Sequence, residues 1–314
     1  MDKVRLISIG PEADGQRIDN FLIAKLKGVP RSRIYRLLRK GEVRLDKGRI
    51  KPDRRLKEGD LVRIPPIRES QPVARPTVTP RELTLLADRI LHEDERLMVI
   101  NKPAGMAVHG GSGVSHGVIE ALRQSRPDAS YLELVHRLDR ETSGCLLIAK
   151  KRSALRQLHE HLRRKSLRKH YLALLAGSFP KRRNQLSAPL VKNELQSGER
   201  ISQVRADGKE ARTHFNVIRY YRNVTLVEAR PLTGRTHQIR VHCQYLGHPV
   251  IGDRKYGNDD LNREMRNKGV RRMLLHASEI WLPDGLNEQL EVVRAPLDED
   301  FQRVLDNIDQ IEQA

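Results

Sequence analysis

Several features that would place this chain in a common class are missing from it. Only Cys145 and Cys243 among its 314 residues are cysteine, and they stand far apart with no CxxC pair. Two isolated thiols argue against a disulfide framework or a structural zinc site and fit a reducing, cytoplasmic compartment. No run of 18 apolar residues occurs, so no membrane-spanning helix and no membrane partner is expected. The first ten residues, MDKVRLISIG, carry charge but lack the apolar core of a secretory leader. Walker, Rossmann and serine-elbow glycine patterns are all absent, which leaves no nucleotide cofactor to expect. The glycine-rich stretch INKPAGMAVHGGSG at 100–113 lacks the lysine-serine ending of a phosphate cradle. His159 and His161 are two apart and His237 and His242 five apart, and neither pair has the i, i+4 spacing of a helical zinc site. No metal is expected. There is no internal repeat.

Positive charge is what the chain has in excess, at a formal net +19. A field of that sign attracts polyanions, whether RNA, DNA or an anionic surface. Residues 1–65 contain 18 Lys/Arg against 9 Asp/Glu, an excess of nine, so about half the charge sits on about a fifth of the chain. Charge so concentrated suggests a dedicated binding module.

That segment, with a core at about 16–64, has Ile18, Phe21, Leu22 and Leu26 at helical spacing, then Pro30, then Ser32 as candidate cap of a second helix. The second helix turns Ile34, Leu37 and Leu38 inward and Arg31, Arg33, Arg36, Arg39 and Lys40 outward. Gly41 ends it, VRLDKGRIK with Arg44 reads as a hairpin around 46–48, and GDLVRI as a further strand. Residues 66–82 are proline-rich and read as a linker. A second domain over 83–314 shows strands at 97–101, 144–150, 171–176, 215–220, 225–229, 273–280 and 289–293. Its helical patterns fall at 117–124, 153–164, 236–246 and 298–308. Strands outnumber helices and several follow one another directly, so an α+β domain with a largely antiparallel, mixed sheet is expected.

Three stretches could carry chemistry. In LVHRLDRETSGCLLIAKK, Asp139 lies between Arg137 and Arg140 at the edge of an apolar strand. Neighbouring guanidiniums favour the carboxylate, which suits a nucleophile or electrostatic stabiliser; for an isolated RLDR a structural ion pair is the commoner explanation. In PLTGRTHQIRVHCQYLGHP, Thr236 can cap a helix that Gly247 ends, leaving Arg235 before its N-terminus, where it could hold a phosphate or the Asp139 carboxylate. In RKHYLALLAG, Tyr171 opens an apolar strand, either as a core-edge residue or as a base-stacking platform with a hydroxyl.

Together and in this order, VINKPAGMAVH, HRLDRETSG, RKHYLAL, GRTHQIRVH and LLHA resemble the RluA family of RNA pseudouridine synthases over about residues 88–300. The basic segment, with RIDNFL and RSRIYRLLRKGEV, resembles an S4 RNA-binding domain. The resemblance implies a small S4 module followed by a synthase domain that isomerises uridine to pseudouridine without a cofactor. It implies that Asp139 is the nucleophile, that Tyr171 packs on the target base, and that Arg235 pairs with the catalytic aspartate. Arg137 would fill the space left by the flipped nucleotide, and Arg140 would steer phosphates. Attack at C1′, attack at C6 and a glycal route all stay open. Arg31, Arg33, Arg36, Lys40 and Arg44 would bind RNA. The expected substrate is 23S ribosomal RNA before subunit assembly is complete, and the expected state is a monomer. A non-catalytic ribosome-assembly factor and a tRNA-modifying synthase are the rival readings. With 4% aromatic residues, phosphate contacts and RNA shape would supply most of the affinity.

Overall fold

Alternating side-chain direction along β-strands divides the apolar residues of this chain among separate cores, and those cores define the architecture. The computed structural model describes residues 4–26, 28–67, 78–111, 114–182, 184–194, 200–283, 286 and 290–313. It forms two units, Met1–Thr77 and Val78–Ala314. The proline-rich residues 68–77 lie outside the described residues. Ile67 is buried in the first unit and Val78 in the second, and a helix begins at Pro80, so both flanks of the expected linker belong to folded units.

In the first unit, β1 (Arg5–Ser8), α1 (Ile18–Lys25), α2 (Arg31–Lys40), β2 (Arg44–Leu45) and β3 (Leu61–Ile64) follow in order, with the sheet ordered β1-β3-β2 and all antiparallel. Ile18, Leu22, Leu26, Ile34, Leu38, Val62 and Ile64 fill its core. The α2 cap is Pro30 rather than Ser32, because proline presets the extended-to-helical entry and Ser32 is exposed. Gly41, at φ 70°, ends α2 where a Cβ would be strained. The expected turn at Asp46–Lys47 forms and is closed by a bridge between Leu45 and Gly48, while β2 also pairs with β3. Strand β1 precedes the segment in which sequence periodicity was legible.

The second unit runs α3 (Pro80–Ala87), β4 (Ile90–Glu93), β5 (Leu97–Lys102), α4 (Val118–Ser125), β6 (Glu133–Leu134), β7 (Ser143–Ala149), α5 (Arg152–Arg164) and β8 (Arg168–Ala176). It continues with β9 (Gln185–Ser187), β10 (Leu190–Glu194), β11 (Arg200–Val204), β12 (Arg212–Tyr220), β13 (Val224–Pro231), α6 (Gln238–Tyr245), α7 (Asp259–Asn267), β14 (Leu275–Trp281), β15 (Val292–Arg294) and α8 (Glu299–Gln313). The main sheet is ordered β4-β5-β7-β14-β8-β13-β12-β9. Its β7–β14 pairing is parallel and its other pairings are antiparallel, giving the mixed sheet expected.

Strand β7 is buried throughout. Leu146 and Ile148 enter one core while Cys145, Leu147 and Ala149 enter the core on the opposite face. A strand covered on both sides has no polar face to alternate, which is why SGCLLIA reads as a continuous apolar run. Each fully buried leucine there stabilises the fold by roughly 1.5–3 kcal/mol, making β7 a stiff support for the loop before it. Gly144, at φ 106°, lets β7 approach β14; a Cβ would fall 2.2 Å from the Ala277 carbonyl oxygen.

Candidate active site

Asp139 sits in the loop between β6 and β7, at the N-terminal edge of the stiff strand. The loop is pinned from several sides. Leu138 is buried, and the Thr142 N–H donates to the Asp139 carbonyl at 3.1 Å. Below it the fully buried Lys102 ammonium donates to the carbonyls of Pro103 and Met106 at 2.8 Å and of Arg140 at 3.0 Å. Three donors thus join the loop after β5 to the Asp139 loop, although burial pulls the Lys102 pKa down to about 7.

The guanidinium that meets Asp139 comes from α6. Arg240 Nη1 donates to Asp139 Oδ2 at 3.0 Å, while its Nε and Nη2 grip both oxygens of Asp253 at 2.7 and 2.8 Å. Arg240 is 7% exposed and Asp253 1%, and the guanidinium also stacks over the Tyr256 ring at 4.9 Å. Burial alone would lower the Arg240 pKa, but the hydrogen bonds and charges of Asp253 and Asp139 raise it. For Asp253, burial opposes the charged form, and the bidentate bond from Arg240 overrides it, holding the carboxyl below its usual range. Arg240 is therefore a fixed cation bridging a buried anion and a half-buried one.

This arrangement corrects two expectations. Arg235 lines the same cavity, yet its Nε donates to the Glu210 carbonyl at 2.9 Å instead of reaching Asp139. Helix α6 begins at Gln238 rather than at Thr236, with His237 as its N-cap in a left-handed conformation, and that start turns Arg240 inward. Gln238 holds the preceding loop: its Oε1 accepts from Thr233 Oγ1 at 2.7 Å and from the Arg235 N–H at 3.1 Å. Nor do the neighbours of Asp139 in sequence embrace its carboxylate. Arg140 Nε donates to the Gly105 carbonyl at 2.9 Å, and Arg137 is exposed on the cavity wall.

His237 approaches the other oxygen, with Nε2 3.8 Å from Asp139 Oδ1. Its Nδ1 lies 2.7 Å from the Tyr256 hydroxyl, which accepts the Ser202 N–H at 2.8 Å. The hydroxyl can donate its own proton to Nδ1, and the Asp139 carboxylate opposite Nε2 favours the tautomer with the ring proton on that nitrogen. Burial, partly offset by Asp139, lowers the His237 pKa to about 4, so the ring is neutral at neutral pH.

Tyr171, on β8 and 7% exposed, faces the same space. Burial first, then the charge of Asp139, pushes its phenol well above the ordinary range, so it stays protonated. Asp139, Tyr171, Arg235, His237 and Arg240 line one cavity of about 580 Å³. Among the described residues no cluster of three or more His, Cys, Asp or Glu could hold a metal ion, and no helix is long and apolar enough to cross a membrane.

The cavity offers a carboxylate with one oxygen fixed and the other open, a neutral donor beside it, and a protonated phenol. Sequence reasoning missed Arg240, His237, Asp253, Tyr256 and Lys102. Arg240 and His237 lay in a stretch already singled out, and the helix phase needed to choose between Arg235 and Arg240 depended on an unpredicted left-handed residue.

In the first unit, Arg31, Arg36, Arg39 and Lys40 are exposed on α2, with Arg33 half-buried. Arg44 instead ties its own turn, donating to the Gly41 and Lys47 carbonyls at 3.3 and 3.2 Å. Helices α1 and α2 are joined through buried Asp19, which accepts from Arg17 at 2.7 and 3.1 Å and from the Tyr35 hydroxyl at 3.0 Å.

Comparison with known proteins decides what this geometry belongs to. Residues 96–245 match the family model for RNA pseudouridylate synthase, and residues 16–62 match the S4 domain. Ribosomal large subunit pseudouridine synthase C of Pasteurella multocida is 54% identical over 303 residues, covering 96% of this chain and 93% of its own. The chain belongs to the RluA family of RNA pseudouridine synthases. The Escherichia coli K12 protein of the same name is 51% identical over 309 residues, covering 97% of each chain. Among solved structures, human RNA pseudouridylate synthase domain containing 4 is similar with a TM-score of 0.57 at 25% identity, covering 73% of this chain and 95% of that one. This member is thus a pseudouridine synthase with an S4 domain before its catalytic domain, as its motifs implied.

Proposed function

We propose that this synthase isomerises uridines of 23S large-subunit ribosomal RNA, with the target nucleotide extruded into the cavity and Asp139 as nucleophile. The observation that carries the reading is the ion pair of half-buried Asp139 with buried Arg240, facing buried Tyr171 in a single cavity. The reaction breaks the N1–C1′ bond, turns the base, joins C5 to C1′ and releases the C5 proton to restore the ring, while the freed N1 takes up a proton. Uridine and pseudouridine are isomers, so no second substrate is consumed.

Each side chain has a part in that sequence. Arg240 holds Asp139 Oδ2, which leaves Oδ1 directed at the nucleotide. His237 offers an Nε2–H beside that free oxygen, and Tyr171 packs on the base with its proton retained. Arg235 closes the cavity wall as a substrate contact, and Arg137 occupies the helix position that the flipped nucleotide vacates. The S4 unit supplies phosphate contacts through Arg31, Arg33, Arg36 and Lys40. Substrate recognition precedes completion of the subunit, because a base must be reachable to be extruded. A cytoplasmic monomer fits that task.

The Asp139→Asn variant tests the assignment. It is expected to lose pseudouridine formation by several orders of magnitude while binding RNA within a few-fold of wild type. Pseudouridine mapping of ribosomal RNA from cells with the gene deleted, and complemented by each version, reads activity and target together. Modification restored by the asparagine variant would remove Asp139 from the mechanism, and an unaltered large-subunit map would remove the substrate.

A further inference from the structure

Lys169 precedes Tyr171 by two residues on β8, so both side chains leave the same face of the strand, and both line the cavity. Among the described residues no hydrogen bond or ion pair engages its ammonium. The carboxylates of this region are committed elsewhere: Asp139 and Asp253 to Arg240, Glu228 to Arg230, and Glu279 to Arg294. Burial is accordingly the one influence on the Lys169 pKa, and it acts downward. Lys169 is half-buried, and a partly desolvated ammonium with no anion beside it is open to an incoming one.

A second donor stands near it. His136 also lines the cavity, and its Nε2 accepts the Leu147 N–H at 3.2 Å. The ring is neutral, with burial lowering its pKa to about 3, so its proton resides on Nδ1. That nitrogen is buried and makes no full hydrogen bond, although the Arg137 backbone is close enough to favour a proton there. The Lys169 charge is felt by the His136 ring, which places the two together. Two donors, one of them cationic, line one cavity, and neither makes a full hydrogen bond to the protein.

The geometry points to a phosphate subsite: the Lys169 ammonium, with His136 Nδ1–H as second donor, takes a non-bridging oxygen of the backbone phosphate flanking the extruded uridine. This rests on the reading of the cavity as the uridine pocket. A full negative charge offsets the partly desolvated ammonium, which a neutral base carbonyl does not do. The contact is a binding contact. It acts equally before and during the chemical step, so it sets KM rather than kcat.

The full-length protein and its Lys169→Met, Lys169→Gln and Lys169→Arg variants test this. The probe is a five-nucleotide single-stranded RNA with a central uridine, titrated between 50 and 200 mM salt, alongside kcat and KM on a large-subunit rRNA transcript. Both neutral variants are expected to weaken oligonucleotide binding about tenfold and to flatten the slope of log K against log salt by about 0.7, the value of one single-strand phosphate contact. KM should rise with kcat within twofold, and Lys169→Arg should keep the wild-type slope. The neutral variants should melt no lower than wild type, since no hydrogen bond or ion pair of the ammonium is lost with it. An unchanged salt slope overturns the subsite, and if kcat falls with it, the ammonium serves the reacting base instead. Loss of folding in both neutral variants would assign Lys169 a structural role and equally overturn it. Oligonucleotide binding needs no turnover, so the subsite can stand where the rRNA transcript is left unmodified, and the reading of the function can stand where the slope is unchanged.

Discussion

The basic residues of the two units are employed in opposite ways. On α2, Arg31, Arg36, Arg39 and Lys40 project into solvent and act through the field they make together. In the second unit one guanidinium, Arg240, is almost wholly buried, donates to both Asp253 oxygens and to Asp139 Oδ2, and stacks over the Tyr256 ring. The first arrangement tolerates disorder of each side chain because affinity is a sum over phosphates. The second does not, because a reacting carboxylate has to stand at one place. The contrast teaches that charge count describes the binding unit and misses the catalytic one, whose electrostatics depend on a single buried pair.

The largest effect that would break this contrast is expected at Arg240. Arg240→Ala leaves Asp253 buried with an uncompensated charge and should cost about 3–5 kcal/mol, against little for any α2 arginine. Urea unfolding followed by the fluorescence of Trp281, the one tryptophan of the chain, reads the second unit directly. Pseudouridine formation should fall together with stability. A variant that unfolds at the wild-type urea midpoint would show that the buried pair is not what holds α6 to the Asp139 loop.

Acid should separate the units next. All 12 histidines lie beyond residue 77, and burial holds His136 at about 3 and His237 and His276 at about 4. Unfolded imidazoles titrate near 6.5, so these groups leave stability unchanged above that pH. As pH falls from about 6.5 toward 4, the unfolded chain takes up protons that the native rings refuse. Stability should decline by about 1.4 kcal/mol per pH unit for each histidine. The first unit has no histidine. Its buried Asp19, held below the usual carboxylate range by the Arg17 hydrogen bond, keeps its contribution until the pH drops below about 3.8. Thermal melts monitored at Trp281 should therefore fall across pH 6.5–4 while the α-helical signal of the first unit persists. A flat Trp281 profile in that range would contradict the neutral, buried state of the three rings.

The smallest effect sharpens the other side of the comparison. Replacing Arg31 and Arg36 by glutamine should reduce RNA affinity similarly for any sequence and flatten the salt slope by one to two units, with kcat kept. Loss of kcat at saturating RNA would mean that these side chains do more than hold phosphates.

Local pattern revealed much of the fold. The run at 144–150 is legible as β7 because a strand buried on both faces is apolar throughout, and α2 is legible because Ile34, Leu37 and Leu38 recur at helical spacing. Strands β9, β10 and β11 were not seen, being short and polar enough to need their neighbours for definition. Asp139 and Tyr171 could be chosen as site candidates from their stretches, and the structure brings both to one cavity. Arg235 and Arg140 reach that neighbourhood without meeting the carboxylate, because their guanidiniums find backbone carbonyls closer to hand.

Composition, periodicity and motif order were enough to establish a basic RNA-directed module, a mixed-sheet synthase domain and a short set of chemically capable residues, since these properties are carried by local spacing and charge. Which arginine grips Asp139, which groups His237 faces, and where Lys169 is left without a counter-ion were settled only by packing. Those outcomes depend on distances between residues as much as 101 positions apart, and burial converts such distances into electrostatic strength that no local pattern encodes.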